Sequence, residues 1–383
     1  MKVSEVIRMA VEKKIRWLDA ADILGITPRQ MHRIKVRYDV DNPDSLRDAR
    51  FGKPPVNKVA DDVGARVLAL YREQYKGFNV QHFHEQLGEH GITASYTWTK
   101  NALLDAGLIA RKGMRKPYRR RREREPMPGM LLHLDGSKHR WFEGHDEAMQ
   151  DLLAFVDDAT GEILAARFVP EEGTRTVLAL LRELVQDRGT FGRLYTDRAS
   201  HFVFTPKAGH EPDRTKKSQV ERVLDDLGIE LVCAFSPQAR GRSERLWRTL
   251  QGRLPLELAR AGARTYEAAN TYLTTRFMPR FNKRFAVAAA VADETGFVPV
   301  ARGDLARIFT LRFERVVAGD HTIRFHNRLL QLDKPRGTSL LPKRTVQLRV
   351  TLDGRIDVYL GTRLVQSFEP HDLDLNDPAF AAA

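Results

Sequence analysis

The first hundred residues carry apolar side chains three or four positions apart, the spacing of one helical face. Ala20, Ala21, Ile23 and Leu24 keep that spacing until Gly25-Ile26-Thr27 interrupts it. Thr27 has the oxygen that an N-cap needs and Pro28 suits a first helical position, so a further helix is predicted from Pro28 to Tyr38. Two short helices about a glycine-containing turn make a helix-turn-helix, whose second helix enters the major groove of DNA. Arg29, Gln30, His32, Arg33, Lys35 and Arg37 all fall on that second helix, so residues 1–50 read as a DNA-binding domain. The alternative is a helical hairpin with a solvated basic face. Asn42-Pro43 and Gly52-Lys53-Pro54-Pro55 have linker composition. Val63, Val67, Leu68 and Tyr71 then form a new helical stripe. Helices are predicted over Asn79–Glu89 and Ser95–Ala106, giving a second helix-turn-helix or winged-helix-like unit at 58–110.

From Met130 the period changes. Strands are predicted at Met130–Leu134, Asp151–Val156 and Ile163–Val169, the last two joined by the turn Asp157-Asp158-Ala159-Thr160-Gly161. A helix over Thr174–Gln186 carries Val177, Leu178, Leu181 and Val185 on one stripe. Strand Arg193–Thr196, helix Ser218–Leu227, strand Ile229–Ala234 and a long helix from Ser243 follow. Three strands, helix, strand, helix, strand, helix is the order of an RNase H-like α/β core, here at residues 129–285, and 265–282 read as helical. Strict alternation returns beyond residue 315. Thr345–Leu352, Ile356–Tyr359 and Leu364–Phe368 predict a small C-terminal β-barrel at 315–376. The fold class is thus multidomain, α and α/β.

With 383 residues the chain is too long for one ordinary core, which agrees with this division. Its net charge of +13 suits a polyanion, with double-stranded DNA the leading partner. The charge concentrates at 111–128, where Arg119, Arg120, Arg121 and Arg122 are consecutive. Such a block stays extended and either tracks phosphates in a salt-dependent way or is a solvated linker. The single cysteine, Cys233, lies in an apolar run and reads as a core residue; it excludes a disulfide framework. No apolar run is long enough to span a bilayer, and the N-terminus lacks a signal peptide's stretch. A cytoplasmic, nucleoid-associated bacterial protein without membrane contact is expected.

Three acids carry the candidate chemistry. Asp135 and Asp197 end apolar strand-like runs and Glu244 opens a helix. Taken singly, each has an ordinary reading as a turn residue, a strand-end cap or a favourable charge at a helix N-terminus. Together, at one edge of a sheet, they could hold two Mg²⁺ or Mn²⁺ ions, which prefer hard oxygen ligands and suit phosphodiester chemistry. Asp135 would bridge the ions, and Asp197 and Glu244 would bind one each. His133 shares a strand face with Asp135 but reads as a packed or hydrogen-bonded histidine. Asp157 and Asp158 read as turn formers.

The flanking segments add a resemblance. Ser236-Pro237-Gln238-Ala239-Arg240-Gly241, followed by Ser243-Glu244-Arg245-Leu246-Trp247, resembles the catalytic-glutamate segment of DDE transposases and retroviral-type integrases. Leu194–Ser200 and His133–Ser137 resemble that family's two aspartate segments. Phe281–Val287 resembles the stretch with Asn, Arg and Phe that follows the core in bacterial insertion-sequence enzymes, and Thr322–Phe325 with Leu329–Leu332 a C-terminal segment of the ISNCY group. The resemblance implies an RNase H-like catalytic core using Mg²⁺ or Mn²⁺. It implies binding of the element's terminal inverted repeats, 3′-end cleavage, strand transfer into target DNA, and a homo-oligomer on DNA. Two departures stand out. The gap from Asp197 to Glu244 is long, with the excess at Thr205–Gln219. Gln251 stands where many relatives carry a basic residue, leaving Arg245, Arg248 or Arg253 for DNA. The competing readings are a DNA-binding regulator or transposition repressor with an inactive core, and an RNase H-superfamily nuclease.

Overall fold

A computed structural model of the chain describes residues 3–39, 42, 59–110, 123–142, 149–204, 216–233, 241–326, 328–333 and 341–369. The chain forms two compact units, Met1–Val67 and Leu68–Ala383. The first holds helices α1 (Val3–Val11), α2 (Trp17–Leu24) and α3 (Pro28–Arg37). Gly25 ends α2 in the left-handed region at φ 64°, a conformation that costs glycine nothing. Thr27 Oγ1 accepts the Gln30 N–H at 3.3 Å, while the Thr27 N–H donates to Gln30 Oε1 at 3.0 Å, which makes a capping box at the start of α3. Val6, Ile7, Ala10, Ala20, Ala21 and Met31 form the small core of these helices. Helix α4 (Asp61–Gln74) begins in this unit and ends in the next.

The second unit opens with the end of α4, then α5 (Val80–Gln86), a 3₁₀ turn (Leu87–His90) and α6 (Tyr96–Asp105). A five-stranded sheet follows: β1 (Leu131–His139), β2 (Gln150–Asp157), β3 (Ile163–Val169), β4 (Arg193–Thr196) and β5 (Glu230–Cys233). Its order is β3-β2-β1-β4-β5. Strand β2 is antiparallel to both neighbours, whereas β4 and β5 run parallel to β1. Helices α7 (Thr174–Arg188) and α8 (Gln219–Asp226) connect the later strands, and α9 (Gly241–Gln251), α10 (Leu254–Arg260), α11 (Tyr266–Tyr272), a π-helical turn (Leu273–Phe277) and α12 (Met278–Phe285) follow. Elements and order match the sequence expectation for the core. The helix predicted as one long rod from Ser243 breaks at Gly252-Arg253 before Pro255 of α10.

Strand β1 is buried on both faces, as a central strand must be. Leu132 and Leu134 point to the layer of α7 and α8, where Leu153, Phe155, Val177 and Leu181 complete the core. The opposite face packs Leu152, Ala154, Trp141 and Phe168 against Trp247, Leu250 and Phe277 of the later helices. Cys233, expected in the core, is half-buried at the end of β5, where burial pushes its thiol up.

The C-terminal part comprises α13 (Arg302–Ile308), β6 (Thr310–Val316), β7 (Thr322–Phe325), β8 (Arg328–Gln331), β9 (Thr345–Thr351), β10 (Ile356–Leu360) and β11 (Arg363–Phe368). Among the described residues these strands form an open sheet, β11-β10-β9-β6, and a separate β7–β8 hairpin, rather than the expected closed barrel. The reason is that a helix seals the edge that barrel closure would have paired. Gln219 of α8 donates to the Arg312 carbonyl at 2.8 Å and accepts the Arg312 N–H at 3.0 Å. The inner face of the sheet, with Leu348, Val350 and Val358, joins the core cluster of α7 and α8. Two asparagines seal β3 in the same way: Asn270 clasps Phe168 at 2.7 and 3.1 Å, and Asn282 clasps Ile163 at 2.9 Å through both its amide atoms. Sealed edges protect a sheet against pairing with another chain. No helix among the described residues is long and apolar enough to cross a membrane.

Helix α5 is tied to α10 and α12 by charge. Glu257 accepts from His82 Nε2 at 2.8 Å and from the Tyr272 hydroxyl at 2.8 Å, and pairs with Arg280. Glu85 pairs with Arg253 at 2.7 Å and Arg284 at 3.1 Å, and Glu89 with Arg280 at 3.3 Å. Burial alone would push Glu257 up; the His82 hydrogen bond, the Arg280 charge and the Tyr272 hydroxyl outweigh it and hold the carboxyl below its ordinary value.

Candidate active site

The parallel pairing of β1 with β4 sets Leu131, Leu132 and His133 opposite Arg193, Leu194 and Tyr195. Asp135, on β1, and Asp197, just after β4, each lie two residues beyond the last of these pairs. The expectation that Asp135 ends its strand needs revision: β1 runs on to His139, and Asp135 sits mid-strand opposite Ala154. Asp197 follows the last residue of β4 and folds its own turn, with Oδ1 accepting the Ala199 N–H at 2.9 Å.

Glu244 is exposed in the first turn of α9. The same helix touches β1 twice. Trp247 Nε1 donates to Asp135 Oδ2 at 2.9 Å, and Gln251 Nε2 donates to Ser137 Oγ at 3.1 Å. Residues 244, 247 and 251 recur at helical spacing along one face, so Glu244 stands one turn before the Trp247 contact. In donor chemistry, two aspartates and a glutamate fit a hard divalent ion. In closeness they do not yet fit: among the described residues no three His, Cys, Asp or Glu side chains are near enough to hold one. The structure therefore sets Asp135 on β1, Asp197 after the neighbouring β4 and the glutamate's helix onto the first of them, without closing the three into one ligand set.

Behind the site, Asp135's neighbour Gly136 faces the other way. A Cβ there would collide with the Glu172 carboxylate. Glu172 Oε1 lies 3.1 Å from His201 Nε2, in the loop after Asp197, and the Glu172 N–H donates to Asp151 Oδ2 at 3.1 Å. Burial pushes Asp151 up, against that hydrogen bond. His133 is a hydrogen-bonded histidine, with Nε2 2.8 Å from Asp158 Oδ1 and its ring 5.1 Å from that of Tyr195. Asp157 and Asp158 do more than turn the chain. Asp157 accepts from Thr160 N–H and Gly129 N–H at 2.8 Å, and Asp158 from Glu125 N–H at 2.8 Å, fastening the approach to β1.

Of the basic candidates, Arg29, Gln30, Arg33, Lys35 and Arg37 are all exposed on α3. At 3.6 residues per turn Arg29, Arg33 and Arg37 share one stripe. Gln30 spends its carbonyl on the Thr27 cap, and Lys35 lies on another side, its Nζ 5.4 Å above the Trp17 ring. Arg245 and Arg248 are exposed on α9. Arg253, by contrast, is buried against Glu85 and stacks 4.9 Å from the Phe285 ring. Arg119, Arg120, Arg121 and Arg122, and most of Thr205–Gln219, lie outside the described residues.

The sequence itself has relatives. The chain is 33% identical to a Sinorhizobium fredii protein named as the transposase y4bF, over 92% of this chain and 77% of the relative. The chain belongs to a family of insertion-sequence transposases. It is also 27% identical to the transposase for insertion sequence IS1202 of Streptococcus pneumoniae, over 93% of this chain and 83% of the relative. No family model matches the transposase. Among solved structures it is similar to the HTLV-2 integrase catalytic core domain in complex with magnesium, at 13% identity and a TM-score of 0.30 over 39% of this chain and 88% of that one. A simian T-cell lymphotropic virus intasome in complex with the PP2A regulatory subunit B56 gamma gives 16% identity and a TM-score of 0.32, over 50% and 64% of the two chains.

Sequence reasoning missed Glu172 and His201, which carry no local signal. Trp247 stands in the segment of resemblance and Gln251 where a basic residue is expected, and neither position announces its partner on β1. The capping role of Gln30 was legible from Thr27 three residues earlier.

Proposed function

We propose that this transposase binds the terminal inverted repeats of its element and catalyses 3′-end cleavage followed by strand transfer, with Asp135, Asp197 and Glu244 as its catalytic acids. The observation that carries the reading is the parallel pairing of β1 with β4, which leaves Asp135 and Asp197 each two residues beyond the last pair, with α9 hydrogen-bonded to Asp135 one turn after Glu244. A divalent ion, Mg²⁺ or Mn²⁺, would supply Lewis-acid activation there. Asp135, Asp197 and Glu244 would be the residues that hold it, and two such ions would suit the reaction. Arg29, Arg33 and Arg37 would face the repeat from α3, with Arg29 and Arg33 early on the helix where base edges are read. Arg119 to Arg122 would follow phosphates without reading sequence, and Arg245 and Arg248 would meet the DNA nearest Glu244. The protein would work as a homo-oligomer, since transposition joins two ends, and in the cytoplasm on the nucleoid.

The test is Mg²⁺-dependent nicking and strand transfer on a duplex carrying the element's end. Asp135→Asn, Asp197→Asn and Glu244→Gln should each abolish both steps and leave end binding intact, with double variants barely worse than singles. A variant that nicks like the wild type removes its residue from the site. Arg29→Ala and Arg33→Ala should each lower affinity for the repeat by about 1–3 kcal/mol and leave affinity for random duplex almost unchanged. Equal losses on both duplexes would make them phosphate contacts.

A further inference from the structure

The two contacts between α9 and β1 match in spacing as well as in chemistry. Trp247 and Gln251 are four residues apart on the helix, about 6 Å along its axis. Asp135 and Ser137 are two residues apart on the strand, about 6.7 Å, and share a face. Helix and strand therefore register at two points, and the register fixes where Glu244 stands.

We propose that Trp247 and Gln251 are positioning residues: the indole N–H orients the Asp135 carboxylate, and the two contacts together hold α9, the helix that carries Glu244, in register on β1. The inference rests on the catalytic reading above and names what that reading leaves open. The body of Trp247 is buried, 8% exposed, with its ring 6.2 Å from that of Trp141. A buried indole must find a partner for its N–H. Here the partner is a carboxylate, which makes the bond charge-assisted and directional. Packing alone would need only an aromatic ring at 247, whereas orientation of Asp135 needs the N–H. Gln251 stands where a cation is expected from the resemblance. The structure gives it a different task, a hydrogen bond to Ser137 Oγ beside the site. Groups that hydrogen-bond a ligating carboxylate typically matter by 10–100-fold in metal affinity or activity.

Trp247→Phe keeps the ring and removes the donor. It should melt within a few degrees of the wild type and bind the end duplex as tightly. Its single-turnover nicking rate should fall about 10–100-fold, and its affinity for Mn²⁺, read from the free-ion electron paramagnetic resonance signal without DNA, should weaken as well. Gln251→Leu is half-exposed and safe for folding. It should slow nicking about two- to tenfold, and combining it with Ser137→Ala should add nothing further. Wild-type nicking and Mn²⁺ affinity in Trp247→Phe overturn the inference. If that variant fails to fold, additive losses in Gln251→Leu with Ser137→Ala overturn it instead. Asp135→Asn separates the two ideas. If it is inactive while Trp247→Phe is normal, only the positioning role falls. If it is fully active, the catalytic reading falls and takes this inference with it.

Discussion

At the scale of single residues, small side chains beside the candidate site matter as much as the acids. Gly136 has no Cβ, and Glu172 occupies the space a Cβ would take on its way to His201. Gly136→Ala should therefore not split the sheet; it should push Glu172 off His201 and loosen the loop that follows Asp197. The expected cost is about 1–3 kcal/mol, the loss of one hydrogen bond to a charged group, measured by urea unfolding. In a double-mutant cycle, Glu172→Ala should absorb most of that cost, because the colliding carboxylate is gone. Strictly additive losses would show that the glycine is needed for another reason.

At the scale of elements, ion pairs tie α5 to α10 and α12. Glu257 sits at the centre, with His82, Tyr272 and Arg280 around it. Its carboxyl titrates below the ordinary value of 4.5 in the folded chain. The sign follows from that direction. A depressed carboxyl stabilises the fold fully above its unfolded pKa, and that stability is lost as pH falls through 4.5 towards the lower folded value. Glu257→Gln should cost about 3 kcal/mol at pH 7, the lower end for a broken buried pair because Arg280 stays half in water. The gap between variant and wild type should narrow as pH falls below 4.5. A gap that is constant with pH would mean that Glu257 acts by packing alone. The capping box of α3, the break before Pro255 and the amide clasps on β3 belong to the same scale. The first two were readable as patterns of neighbouring residues. The clasps join Asn282 to Ile163 across 119 positions, and nothing local announces them.

At the scale of the molecule, the second unit is welded together. The C-terminal sheet shares one apolar cluster with α7 and α8, and its edge strand is clasped by Gln219. Arg222 of α8 donates to the Thr310 carbonyl and pairs with Asp226 at 3.0 Å, and burial pushes its guanidinium down to about 10. Deleting residues from 302 onward should therefore do more than remove an appendage. It would bare apolar surface of α7 and α8, and the shortened chain should aggregate or unfold without cooperativity in a thermal melt. A truncated protein that melts in one sharp transition near the full-length temperature would show the sheet to be an independent module.

The sequence by itself determined the elements of this transposase's core and their order, and it singled out the three acids proposed as catalytic. Periodicity, caps and turn residues act over three or four positions, and each acid stood in a short segment of strand or helix. Tertiary structure decided which faces meet. Alternating residues beyond 315 specify strands but not whether their sheet closes, because closure competes with a glutamine 93 positions away. The same holds at the site. Trp247 reaches Asp135 across 112 positions, and only the packing of α9 on β1 brings that donor to that carboxylate. Local propensity depends on the backbone's immediate neighbours, whereas a buried polar group takes whatever partner the folded core delivers.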